Sequence, residues 1–276
     1  MEIGQQPMMQ SPETKIQPST KLVIKLGLNN IDLMLLDSSG HLINFFKNDF
    51  EEKLSPEKLL DKLDLIINES NIKFSNVIEV NLVILNKLST LVPINLFDPK
   101  LILEYLKFNT KLMRDDYASK DVIEEIQAVN VFLPFVNINN YILEKFGTFN
   151  YYHYSTIIIK KLLKYNLTDE TCFYANFQTN DFQIIIFKNK SLLYYNNFEI
   201  KKKEDILYYL LFVIEKNNLN YEKTKIILVG KIREHSKKYR FLKKFIKNVQ
   251  IIKFHDNELE KIQNFDNKFD IDYLLI

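Results

Sequence analysis

Two stretches of this chain, 150 residues apart, carry the same order of local signals. In the later one, Cys172 to Gln178, Asp181 to Phe187 and Ser191 to Phe198 are apolar, β-branched and aromatic runs. Thr179-Asn180 and Lys188-Asn189-Lys190 separate them. Connections that short between such runs predict an antiparallel meander. Glu204-Asp205 then open a helix reaching about Asn217, because carboxylates favour the positive end of the helix dipole. Lys225 to Gly230 reads as a short buried strand. In the earlier stretch, strands are expected at Leu22–Leu26, Ile31–Asp37 and His41–Phe46, with turns at 27–30 and 38–40. Ser55-Pro56 starts a helix whose apolar stripe is Leu59, Leu60, Leu63, Ile66 and Ile67, and Val77 opens the next strand. A shift of 150 lays one unit on the other without a gap, which points to a structural duplication.

Length and composition agree with two lobes. The chain has 276 residues, enough for two cores of ordinary domain size. Its 46% hydrophobic and 26% charged residues give the balance of a globular protein, and a net charge of +2 supplies no global field for nucleic acid. The single cysteine, Cys172, excludes an internal disulfide and reads as a buried core thiol. The longest uninterrupted apolar run, Ile206 to Ile214, is about half of a membrane-spanning length, so no membrane insertion is expected. The N-terminus lacks a secretion signal, and the expected location is cytoplasmic.

The remaining segments complete the order. Residues 1–20 hold Pro7, Pro12 and Pro18 among Gln, Ser and Thr and read as a disordered tail. Leu88–Val92 is a strand stopped by Pro93, and Asp98-Pro99 begins a helix extending toward Met113. Val122 to Phe135 is expected to be extended, Asn140–Phe146 to be a helix ended by Gly147, and Thr148–Tyr154 to be a strand. Ser155 is expected to cap a helix reaching Tyr165, with a further helix at 236–247 and a strand at 249–254. The fold class is α/β, with a first lobe at 21–165 and a second at 166–276.

Two copies of meander, helix and strand resemble the actin-like ATPase superfamily, in which ribonuclease-H-like lobes hold ATP in the cleft between them. Several stretches are also similar to a bacterial family known only as a domain of unknown function. They are Ser89 to Phe97, Asn197-Phe198 with Glu204 to Tyr209, and Leu228 to Ile232 before Ser236. The superfamily resemblance implies a phosphate loop Asp-x-Gly after the first strand, its Asp placing a metal ion. Here Gly27 is present, but Lys25 stands at the Asp position. The matching turn of the second lobe, with Gln178, Thr179 and Asn180, has no glycine, and Gly230 is followed by Lys231 where a second glycine is usual. Backbone cannot approach a phosphate closely without such glycines. Lys25, Gly27, Gln178, Thr179, Asn180 and Gly230 are therefore vestigial positions of a nucleotide cleft, and no cofactor is expected.

Other chemistry is thin. His41, His153, His235 and His255 have no partner at metal-ligand spacing, Asp115-Asp116 reads as solvated charge, and no hydrolase, Walker or dinucleotide signature occurs. Lys231 to Lys247 is strongly basic, which reads first as the solvated face of a sheet-covering helix and second as a nucleic-acid surface. The 206–214 helix is apolar on every side. Either the opposite lobe covers it, the favoured reading, or Tyr208, Tyr209 and Phe212 form an interface for a partner or a second copy in a homodimer. The expected function is a non-enzymatic actin-like scaffold that binds an unknown protein partner. A divergent ATP-dependent kinase or ATPase and a nucleic-acid accessory protein are the alternatives.

Overall fold

The structure is a computed structural model and describes residues 19–70, 72, 76–108, 110–165 and 170–251. Most of the expected N-terminal tail and everything after Ile251 lie outside those residues.

The first lobe begins with β1 (Thr20–Gly27), β2 (Asn30–Asp37) and β3 (Leu42–Asp49), paired antiparallel in sequence order. Gly27 pairs with Asn30 around the two-residue turn Leu28-Asn29. A Cβ on Gly27 would lie 2.9 Å from both the Asn30 Oδ1 and the Leu85 carbonyl oxygen, so the close approach of β4 requires glycine there. Helix α1 (Pro56–Glu69) starts where Ser55 Oγ accepts from the Lys58 N–H, and Leu59, Leu63 and Ile67 form its buried stripe. Strand β4 (Val77–Leu85) runs parallel to β1.

A small unit follows. Strands β5 (Ser89–Pro93), β6 (Ser119–Ile123) and β7 (Ala128–Phe132) form an antiparallel sheet in the order β5-β7-β6. The helix expected from Asp98 to Met113 is shorter: a 3-10 turn at Pro99–Leu101 leads into α2 (Ile102–Lys107). The segment expected to run extended from Val122 to Phe135 is instead a hairpin. A 3-10 turn at Glu124–Ile126 and a left-handed Gln127 (φ 50°) reverse the chain there. Helix α3 (Val136–Phe146) begins before Asn140 because the Phe135 carbonyl accepts from both Ile138 and Asn139, and it ends at Gly147 with φ 77°.

Strand β8 (Asn150–His153) completes a five-stranded sheet of order β3-β2-β1-β4-β8 and passes directly into α4 (Tyr154–Tyr165). Ser155 is not the cap of α4. It lies inside the helix with no exposed surface, and its hydroxyl contacts that of Tyr195.

The second lobe repeats the plan: β9 (Cys172–Phe177), β10 (Asp181–Lys188), β11 (Ser191–Glu199), α5 (Lys203–Lys216), β12 (Ile226–Gly230), α6 (Lys237–Phe245) and β13 (Val249–Ile251). Its sheet order, β11-β10-β9-β12-β13, is that of the first lobe. The offset is 151 through the first hairpin, since the Gln178 N–H bonds the Asp181 carbonyl where Gly27 pairs with Asn30. It falls to 147 at the helix (Pro56 and Lys203) and to 146 in the fourth strand (Ile84 and Gly230), against the gap-free shift expected from sequence, and is 150 only in the third strand. There both edge strands carry a bulge, at Ile43 and at Leu193, residues that are 49% and 43% exposed. Bulges at matching places twist both edges away from pairing with other strands.

Period-2 alternation sorts the sheets' side chains into layers. Phe173, Ala175 and Phe177 of β9 point to α5 and α6, whereas Tyr174 points to α4. Helix α4 packs Ile158, Ile159 and Leu162 against Val23 and Val83 of one sheet and Ile185 and Val229 of the other. The helix enclosed between the lobes is therefore α4, and α5 lies on the outer face of its own sheet.

Candidate functional site

Both lobes aim their first hairpin at the same cleft. Leu28, Asn29, Asn30, Lys53, Asn86, Lys87, Leu88 and Phe135 line it from one side. Gln178, Thr179, Asn180, Asp181 and Asn197 line it from the other. Its cavity measures about 190 Å³, below the ~300 Å³ at which pockets for drug-sized ligands begin.

Beneath the cleft lies a polar floor. Lys25 is 2% exposed, and its ammonium sits 4.7 Å from the centroid of the Tyr154 ring. Directly across β2 from it is Asp32, 1% exposed. In the second lobe the corresponding cross-strand pair is Asn176 and Gln183, both fully buried, with the Asn176 Nδ2 donating to the Gln183 Oε1 at 3.0 Å. The Tyr154 hydroxyl joins the two halves, accepting from Asn176 Nδ2 at 3.1 Å and from Gln178 Nε2 at 2.9 Å. Lys25 and Asn176 thus occupy equivalent positions in the two lobes, and both are engaged within the fold.

The glycines have their own reasons. Gly230 has φ 78°, and a Cβ there would lie 2.3 Å from the Phe177 carbonyl oxygen and 2.5 Å from Asn176 Oδ1. It lets β12 end tightly against β9. After it, the Lys231 ammonium reaches Asp49 Oδ1 at 2.8 Å and Thr179 Oγ1 at 3.2 Å. Burial opposes the charge on Asp49, but the Lys231 hydrogen bond and the nearby lysines hold its carboxyl below the usual range. Across the cleft mouth, Lys53 lies 3.7 Å from Glu199, and Lys87 lies 3.8 Å from Asp181 and 3.9 Å from Glu199. Burial pushes the Asp181 carboxyl up, against the pull of Lys87 and Lys53. Among the described residues no group of three or more His, Cys, Asp or Glu gathers in metal-binding geometry.

A second polar centre lies where the small sheet meets the edge of the main one. Asp121 Oδ2 accepts from the His153 N–H at 2.8 Å and from Thr156 Oγ1 at 2.7 Å, and Asn130 donates to Thr156 at 3.0 Å. The Ser155 N–H donates to His153 Nδ1 at 3.2 Å, so the proton sits on Nε2, 3.2 Å from the Asn86 carbonyl oxygen. Burial raises the Asp121 carboxyl to about 6 and lowers His153 to about 4. Beside this centre runs a groove of about 410 Å³ lined by Ser119–Val122 of β6 and Asn150–Tyr152 of β8.

The structure brings Gln178, Thr179 and Asn180 to the cleft wall, with Lys25 beneath them and Gly27 and Gly230 at the adjoining strand ends. Tyr208, Tyr209 and Phe212 are elsewhere, on α5. Tyr208 (61% exposed) and Phe212 (38%) stack on each other at 6.0 Å, whereas Tyr209 is partly buried and stacks on Phe198 at 4.4 Å. Sequence reasoning missed Tyr154, the Lys231–Asp49 contact and the Asp121 centre. Polar residues inside apolar strand runs, Lys25, Asp32, Asn176 and Gln183, were the available signal of a polar floor. Tyr154 gave none, because a tyrosine after a strand has many uses.

The sequence matches the model of a family described as a protein of unknown function, DUF3822, over residues 10–249. The chain belongs to this family. No curated protein matches it. A solved protein of actin-like ATPase fold and unknown function from Bacteroides thetaiotaomicron is similar at 22% identity and a TM-score of 0.75, covering 91% of this chain and 98% of that one. The type IV pilus biogenesis complex PilM–PilN is similar at 10% identity and a TM-score of 0.55, covering 92% and 95%. This DUF3822 chain therefore has the actin-like ATPase fold, in agreement with its two lobes of identical strand order. Among its described residues no helix is long and apolar enough to cross a membrane.

Proposed function

We propose that this chain is a nucleotide-independent, non-enzymatic scaffold that works by binding a protein partner. One observation carries the reading: the position where the superfamily resemblance implies a metal-placing Asp, Lys25, and its counterpart in the second lobe, Asn176, are used inside the fold, Lys25 over the Tyr154 ring and Asn176 bonded to Tyr154 and Gln183. An ammonium at Lys25 repels a metal ion, and Asn176 offers it no charge. The PilM–PilN complex supports the second half of the reading, since a protein of similar fold is found there with a protein partner.

The surface offers two places for a partner. The small unit between β5 and β7 exposes Leu96 (67%), Leu101 (48%), Phe108 (89%), Met113 (80%) and Tyr117 (58%), and α5 exposes Tyr208 and Phe212. Aromatic and methionine side chains left in water are typical of docking surfaces. A second copy of the chain is one candidate occupant. Calorimetric titration with ATP and magnesium tests the scaffold reading. No saturable heat is expected up to millimolar ligand, and micromolar binding would return the chain to the ATPases.

A further inference from the structure

We propose that the cleft is held shut by an ionic latch built from the chain's own lysines, with Lys231 at its centre, and that the latch yields to salt. Hinged two-lobe proteins generally close around something that touches both lobes. Here three lysines at the cleft mouth already do so, while Lys47 contacts Asp49 within the first lobe at 3.6 Å. Lys231 comes from the second lobe and bonds Asp49 of the first at 2.8 Å. Lys53 and Lys87 come from the first lobe and meet Glu199 and Asp181 of the second at 3.7 to 3.9 Å. Both lobes thus contribute lysines, and opening the mouth separates each of these pairs.

Lys231 is the best-held member. Its side chain is 16% exposed and is steadied on its own lobe by Thr179 Oγ1 at 3.2 Å, so little freedom is lost when it reaches Asp49. Its position follows from Gly230, whose left-handed backbone turns the chain toward the mouth as β12 ends. Lys231 thus serves as the clasp at the position where the superfamily resemblance implies a second glycine. Lys53, Lys87 and Glu199 are between a third and a half exposed, so their longer contacts are screened once the Debye length falls from about 8 Å at physiological salt to about 3 Å at 1 M. The polar floor at Tyr154 remains when they go, which makes opening a hinge motion rather than unfolding.

The test uses the full chain with Cys172→Ser and nitroxide labels at Lys62→Cys on α1 and Lys223→Cys before β12, both exposed. Pulsed electron spin resonance reads the distance between lobes. At 0.15 M salt one narrow distribution is expected, and at 1 M a second, longer population appears. Lys231→Met raises that longer population roughly fivefold at 0.15 M, the scale of one partly exposed ion pair. Asp49→Asn, at a position 42% exposed on the rim, must reproduce the change, and the double variant must add little to either. Lys231→Asp with Asp49→Lys restores the narrow distribution. Distances unchanged by Lys231→Met, Asp49→Asn and 1 M salt overturn the latch. So does a shift that appears in Lys231→Met alone, because it then belongs to Lys231 and not to the pair. ATP binding plays no part in the readout, so the latch and the scaffold reading fail separately.

Discussion

The two hairpins that face each other across the cleft share a backbone plan and differ in charge. In the first lobe the buried cross-strand pair is Lys25 and Asp32, and in the second it is Asn176 and Gln183. Two facing carboxamides satisfy each other as neutral groups at modest desolvation cost, whereas each buried charge requires its opposite. The duplication therefore preserved architecture and let the chemistry of the two halves part. The charged half supplies a fixed cation at the floor, and the neutral half supplies donors to the Tyr154 hydroxyl.

The largest effect that could break this comparison is expected at the charged pair. Asp32→Asn should cost about 3–5 kcal/mol in urea unfolding, because it removes the buried carboxylate that faces the Lys25 position across the hairpin. Replacing the whole pair with the second lobe's residues, Lys25→Asn with Asp32→Gln, should recover most of that loss. If the double variant is as unstable as the sum of its singles, the lobes' pairs are not equivalent. Next comes the glycine comparison. Gly230→Ala meets both a left-handed φ and a 2.3 Å approach and should cost roughly 3 kcal/mol, whereas Gly27→Ala meets only 2.9 Å contacts and should cost roughly half as much. Thermal unfolding of the two variants measures the ratio.

A third prediction contrasts two titrating neighbours. Asp121 binds its proton more readily folded, near 6, than unfolded, so its contribution to stability declines as pH rises from about 4 to 6. His153 binds its proton less readily folded, near 4, so its contribution increases as pH rises from about 4 to 6.5. The two slopes oppose each other in the same window. Asp121→Asn keeps an acceptor for Thr156 and the His153 N–H and removes one slope. The variant should lose up to ~3 kcal/mol more than the native chain on acidification from pH 6.5 to 4. Matching pH profiles would show that the two groups do not titrate as a pair of opposites. The smallest effects are expected at the bulges: Ile43→Ser and Leu193→Ser should each change stability by less than about 0.5 kcal/mol, and by similar amounts in the two lobes.

The meanders, the Ser55 cap and the buried ends at Gly27 and Gly230 were legible in sequence because each rests on local chemistry: short turns, a capping hydroxyl, a glycine at a close approach. The hairpin at 124–127 was not, since Glu-Glu-Ile-Gln carries no glycine, proline or asparagine to mark a reversal. The place of α5 was misjudged for a different reason. An all-round apolar helix reads as enclosed, but its outer residues Tyr208 and Phe212 stay at the surface, and Tyr209 finds cover on Phe198 of its own lobe. At the cleft, sequence could show that Lys25 and Lys231 depart from the superfamily pattern. It could not show what their ammonium groups touch, because Tyr154 and Asp49 lie 129 and 182 residues away in the chain.

Helix α4 also sets a timetable. It is made with the first lobe, yet its apolar surface at Ile158, Ile159 and Leu162 shares a core with residues of strands that follow it in the chain, Tyr174, Ile185 and Val229 among them. During synthesis that surface leaves the ribosome before β9, β10 and β12 exist to cover it. At ordinary elongation rates the gap to Gly230 lasts several seconds or more, long enough for a nascent chain to attract a chaperone or stick to a neighbour. The first lobe is consequently a poor candidate for expression by itself, and the duplication produced halves that mature only together.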